Sequence, residues 1–320
     1  MGKAIIFRLL TTVAILLIIA VYFSPIWWVQ LDAPGYTEGV PINFHVNGVF
    51  NGRQVEEGEF CDKTMYWVHE MDVLNNFVGM YPTGTGAPIE RALSQFLFAF
   101  LIILLITFMI SGRKLQAATL SVGFSIIVAW GYLTLFTSGG VTWMSSGYQQ
   151  FVQCDMDMEP EEIQEWGGFY TMQESFRNSL NKTFQSRIDE TTRMVNMMVT
   201  VAYVVIGVLI VSMLIFIMGV IWQNNLFYWL LVIIPILLPV FFVLDYAAWV
   251  GWFGHNLGDW ATFTLKPFIM PTFLGESKVA SFTTHSYPHY GYGLMMLSSV
   301  LLILAALLRR KQLRATSTGK

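Results

Sequence analysis

Residues 92–136 read ALSQFLFAFLIILLITFMISGRKLQAATLSVGFSIIVAWGYLTLF. Two apolar runs, about Ala92–Ile110 and Ala117–Phe136, flank a short turn that carries Arg113 and Lys114. A hydrocarbon core about 30 Å thick is crossed by about 20 apolar residues in helix. Each run is long enough to cross, and the turn between them is too short for anything but a return. This pair decides the fold class, an all-α integral membrane protein. Four further windows are of the same kind: about Ala4–Val29, Val195–Ile221, Leu226–Leu244 and Tyr290–Leu308. The expectation is therefore one polytopic domain over residues 1–320 with six transmembrane helices. Composition agrees, since 55% of the 320 residues are hydrophobic and 12% are charged, against about 25% charged in soluble domains.

Lys and Arg near span ends set the orientation. Lys3 and Arg8 open the first span, Arg113 and Lys114 fill the turn above, and Arg309, Arg310, Lys311 and Arg314 follow the last span. A six-span count puts all three clusters on one side, so both termini are expected in the cytoplasm of a bacterial inner-membrane protein. The first span shows no small-x-small cleavage site and is read as a retained anchor, with Trp27 and Trp28 at its interfacial end. Pro235 and Pro239 predict a kink in the fifth span, whose freed carbonyls need partners from neighbouring helices.

Three long extracytoplasmic loops remain, residues 30–91, 137–194 and 245–289. The first contains Ile42–Phe50, a strand-like run, followed by Asn51-Gly52, which reads as the turn of a small β-hairpin. The second is acidic, and its polar stretch from Glu161 to Ile188 predicts one or two surface helices. The third is rich in aromatic residues, Gly and Pro and suggests a lid at headgroup level, with Lys266–Pro271 unable to form regular helix.

All five histidines and both cysteines fall in these three loops. Soft thiolate and thioether donors select Cu(I), and imidazole suits copper, zinc or iron. Cys154, Met156 and Met158 alternate, so in an extended segment they would share one face and could hold Cu(I). The alternative is a Cys61–Cys154 bridge, with the methionines packing on apolar neighbours. His69 and Met71 form a second possible mixed site, set against a structural histidine bonded within its loop. His285 and His289 stand i, i+4, the spacing of one helical face. Asp245 ends the apolar run of the fifth span, a costly depth for an unpaired carboxylate.

The stretch from His69 to Met80, and the segments Lys266–Gly275 and Lys278–Thr284, resemble parts of bacterial polytopic membrane proteins. Those proteins are associated with copper handling around nitrous-oxide reductase and other copper oxidoreductases. Asn76 departs from the resemblance, standing where those proteins carry a histidine. The resemblance implies an accessory protein that binds or relays copper outside the cytoplasm for assembly of such an enzyme. His69, Met71, Cys154, Met156, Met158, His285 and His289 are then the candidate ligands, copper the cofactor, and membrane lipid and a copper oxidoreductase the partners.

Two other classes compete. A structural subunit of a membrane oxidase or monooxygenase would use the aromatic lid for docking. A permease would line a path with Asp245 and the kinked helix, and would show a repeat and a polar midplane cavity. No nucleotide motif, nucleic-acid motif or nucleophile elbow occurs in the sequence, so an enzyme is the least favoured class.

Overall fold

The structure, a computed structural model, describes residues 2–182, 188–222, 225–262, 272–279 and 281–318. The chain opens with α1 (Gly2–Tyr22), β1 (Trp27–Ala33), β2 (Tyr36–His45), β3 (Gly48–Asn51) and α2 (Phe60–Phe77). Next come α3 (Pro88–Met109), α4 (Arg113–Phe136), α5 (Ser146–Met156), α6 (Pro160–Ile163) and α7 (Gly168–Asn181). It closes with α8 (Ile188–Ile221), α9 (Asn225–Ile236), α10 (Leu238–His255), β4 (Gly275–Val279), β5 (Phe282–Pro288) and α11 (Tyr290–Thr318).

Five helices, α1, α3, α4, α8 and α11, are each long and apolar enough to cross a membrane. The pair α9 and α10 passes the same test together, bent by 55° at the break between them, which makes up to six spans of a multi-pass membrane protein. The bend has a local cause. Pro239 has no N–H to give the carbonyl four residues back, and the Val240 amide bonds Leu237 instead of Ile236. The Ile236 carbonyl left over accepts from Ser299 Oγ of α11 at 2.9 Å. The α3 helix is the centre of the bundle, with 67% of its apolar window buried against 22% for the peripheral α8. Gly123 lets α4 approach it: a Cβ there would stand 2.7 Å from Ile103, the close contact that small residues permit between membrane helices.

The start of α1 and the last turns of α11 lie on the same side of the bundle as the α3–α4 turn. There Arg8 donates to the Met109 carbonyl at 3.3 Å, and Arg309 donates to the Tyr228 hydroxyl at 2.8 Å. Both guanidiniums also reach Ser111 Oγ, at 3.5 and 3.4 Å. These cations sit at the carbonyl end of α3, where the helix dipole favours them.

The opposite side carries more order than three loops. One antiparallel sheet runs β3-β2-β1-β5-β4. The expected hairpin is present but its turn is Val46-Asn47, since His45 pairs Gly48, and Asn51 ends the second strand rather than turning it. The first span is shorter than expected: α1 stops at Tyr22 before Ser24-Pro25, and Trp27 and Trp28 belong to β1. Trp27 is buried rather than interfacial, donating to Ser286 Oγ at 2.9 Å amid the rings of Phe242, Tyr246, Phe273 and Tyr292. The α10 helix continues to His255, so Asp245 lies within a helix and not at its end. Lys266–Pro271 lies outside the described residues.

Candidate functional site

Helix α2 begins in a reciprocal cap, with the Glu59 side chain accepting from the backbone of Asp62 and the Asp62 carboxylate from the Glu59 amide. From there a spacing near 3.6 residues puts Cys61, Met65, Val68 and Asp72 on one face, with His69 at its margin. That face meets α5 and is pinned to it by the Cys61–Cys154 disulfide. The alternative in which Cys154 is bridged is the one observed, and its sulfur is not a thiolate donor.

Beneath the disulfide lies a polar cluster. Asp155 is buried, accepts from Ser179 Oγ at 2.9 Å and pairs with Lys182 Nζ at 3.1 Å. Asp72 accepts from the Thr83 amide at 2.6 Å. Burial, opposed by that bond, pushes the Asp72 carboxyl up to about 7. Tyr148 of α5 is likewise raised by burial. At the first turn of α3, Arg91 is buried over the Phe151 ring, 4.5 Å away, and donates to the carbonyls of Gly84 and Gly86. His69 borders the cluster. Its imidazole is half-buried, and Nε2 is shielded from solvent with no hydrogen-bond partner among the described residues. Burial first, and the Lys182 charge second, hold His69 below its usual pKa, which favours the neutral ring.

The candidate ligands therefore separate. On a helix, residues two apart point in nearly opposite directions, which parts Met71 from His69 on α2 and Met156 from Cys154 on α5. Met71 is buried in the core. Met156 closes α5, Asp157 turns the chain with a left-handed backbone (φ 52°), and Met158 is buried just beyond. His285 and His289 share no helical face, because His285 lies in β5 and His289 precedes α11. His285 Nε2 stands 3.0 Å from Asp32 and its Nδ1 3.9 Å from Glu276, so one imidazole is clamped between two carboxylates on the sheet. His289 Nδ1 accepts the Tyr290 amide at 2.9 Å. The nearby histidine it influences is His45, whose ring is lowered to about 4 by burial and then by His289. Among the described residues no three His, Cys, Asp or Glu side chains gather in a way that could hold a metal ion.

Reading the sequence loop by loop missed the buried cluster. In sequence, Asp72 in the first loop and Asp155 in the acidic second loop look like solvated acids. The helical spacing of Cys61, Met65, Val68 and Asp72 was the available signal, since it places an acid on the same face as three core positions. For Arg91 and Lys182 no such periodicity offers itself. No protein-family model, characterised relative or solved structure matches this chain.

Proposed function

We propose that this protein is an accessory protein of a bacterial inner membrane that holds copper outside the cytoplasm and passes it on during assembly of a copper-dependent oxidoreductase. The observation that carries the reading is His69. A neutral imidazole whose Nε2 is shielded and unpartnered has a donor atom to spare, and neutral imidazole is the form that binds copper. With both cysteines joined, thioethers are the soft donors left nearby. Met156 ends the helix that the disulfide ties to α2, and Met158 lies just beyond it. Lys182 does not repel a cation at full strength, being paired to Asp155. The disulfide also supports placing this side of the bundle in an oxidising compartment, in keeping with basic clusters at the other edge.

The test is competition for Cu(I) between a chromogenic chelator and the full-length protein in detergent under anaerobic conditions. The reductant that keeps the copper as Cu(I) should be one too weak to reduce disulfides. Wild type is expected to withhold one Cu(I), and His69→Ala to weaken binding by at least about tenfold with an unchanged melting temperature. The volume-conserving Met158→Leu should lower affinity without abolishing it. Equal affinity in wild type and His69→Ala would remove this site from the function.

A further inference from the structure

A cavity of about 470 Å³ opens where the sheet meets the end of α1, away from His69. One wall is cationic: Arg53 and Lys63 line it. Arg53 is held in place by Glu38 at 2.7 Å and by the Trp67 ring 4.4 Å from its guanidinium carbon. Lys63 is exposed and has no ion pair among the described residues. A second wall is the first turn of α5, Ser146 and Gly147. Backbone N–H groups in a helix's first turn have no intrahelical partner and favour anions. Ser145 caps Tyr148 and leaves the two amides before it free of that bond. The amide side chains of Asn47, Asn51, Gln54 and Gln150, with Thr64 and His45, complete the polar lining, in which no carboxylate takes part.

The remaining wall is apolar and leads into the membrane belt. Phe23 lines the cavity and is 69% exposed. Just past the end of α1, it continues an exposed stripe on that helix: Ile5, Leu9, Val13, Leu16 and Ile19. Their spacing of three or four residues keeps them on one helical face. An exposed apolar face thus runs up a candidate span and ends at an anion-favouring chamber.

We propose that this cavity binds the phosphate headgroup of an anionic phospholipid whose acyl chain lies along the exposed stripe of α1. The lipid enters as a ligand with a fixed address, distinct from the annular lipid that coats α8. Lys63 and the α5 first turn hold the phosphate, the amides take the glycerol oxygens, and Phe23 covers the ester region.

Native mass spectrometry of the full chain, titrated with phosphatidylglycerol, phosphatidylcholine or inorganic phosphate, tests this. Wild type should retain one phosphatidylglycerol in preference to phosphatidylcholine. Lys63→Glu should weaken that retention by about tenfold through loss of a charge-assisted contact, and Gln54→Glu should weaken it by a similar factor by setting a carboxylate beside the phosphate. Lys278→Glu, on β4 and away from the cavity, should leave it unchanged. Equal retention in wild type and both cavity variants overturns the proposal, as does equal retention of the two lipids. Displacement of phosphatidylglycerol by equimolar inorganic phosphate would assign the cavity to the free anion and overturn the lipid assignment.

Discussion

Burial that lifts the Asp72 carboxyl to about 7 makes the fold pH-dependent. In the unfolded chain an aspartate loses its proton near pH 4, whereas in the fold Asp72 keeps it to about pH 7. Across that interval the folded state binds the extra proton, so stability falls as pH rises and levels off above about pH 7. The gap amounts to at most about 4 kcal/mol. Asp72→Asn removes the titration and retains an acceptor for the Thr83 amide. The variant should melt above wild type at pH 8 and close to it at pH 4, in a series of thermal melts in detergent. Wild type and variant running parallel across that range would show that Asp72 reaches solvent. His69 titrates in both proteins, so the difference between the two curves isolates the carboxyl.

Elements show where the sequence was readable. The spans were visible because about 20 apolar residues in a row have one physical use, and the kink because Pro removes one identifiable hydrogen bond. Ser299 capturing the Ile236 carbonyl is the repair that such a kink requires. Ser299→Ala should lower stability by about 0.6–1.7 kcal/mol, measured as a reduced midpoint in chemical denaturation, while Ser298→Ala, whose hydroxyl bonds its own helix at Met295, should change it less. The α2 helix is legible in principle from the period of Cys61, Met65, Val68 and Asp72, but the same residue types are also metal ligands and so suggest a loop site instead. The Cys-x-Met-x-Met run shares one face only if it is extended. Its helical form separates the sulfurs, and nothing in three alternating residues reveals which period they will follow.

At the scale of the molecule, the disulfide joins residues 93 apart in sequence and encloses α3 and α4. Such a link stabilises mainly by restricting the unfolded chain, typically by about 2–4 kcal/mol. Cys61→Ala, Cys154→Ala and the double variant should lose stability to a similar degree, and a reductant should lower the melting point of wild type alone. The sheet could not be read in advance beyond its hairpin, since β1 pairs β5 across more than 250 residues and short strands carry no label for distant partners. That pairing has a consequence for synthesis. Strand β1 leaves the ribosome more than 250 residues before its partner, so one edge of β1 stays open while all of those residues are made. A nascent chain released before residue 282 would display that edge as a sticky backbone ladder. Arrival of β5 and α11, which pair with β1 and pack on α1, is the step that closes that edge.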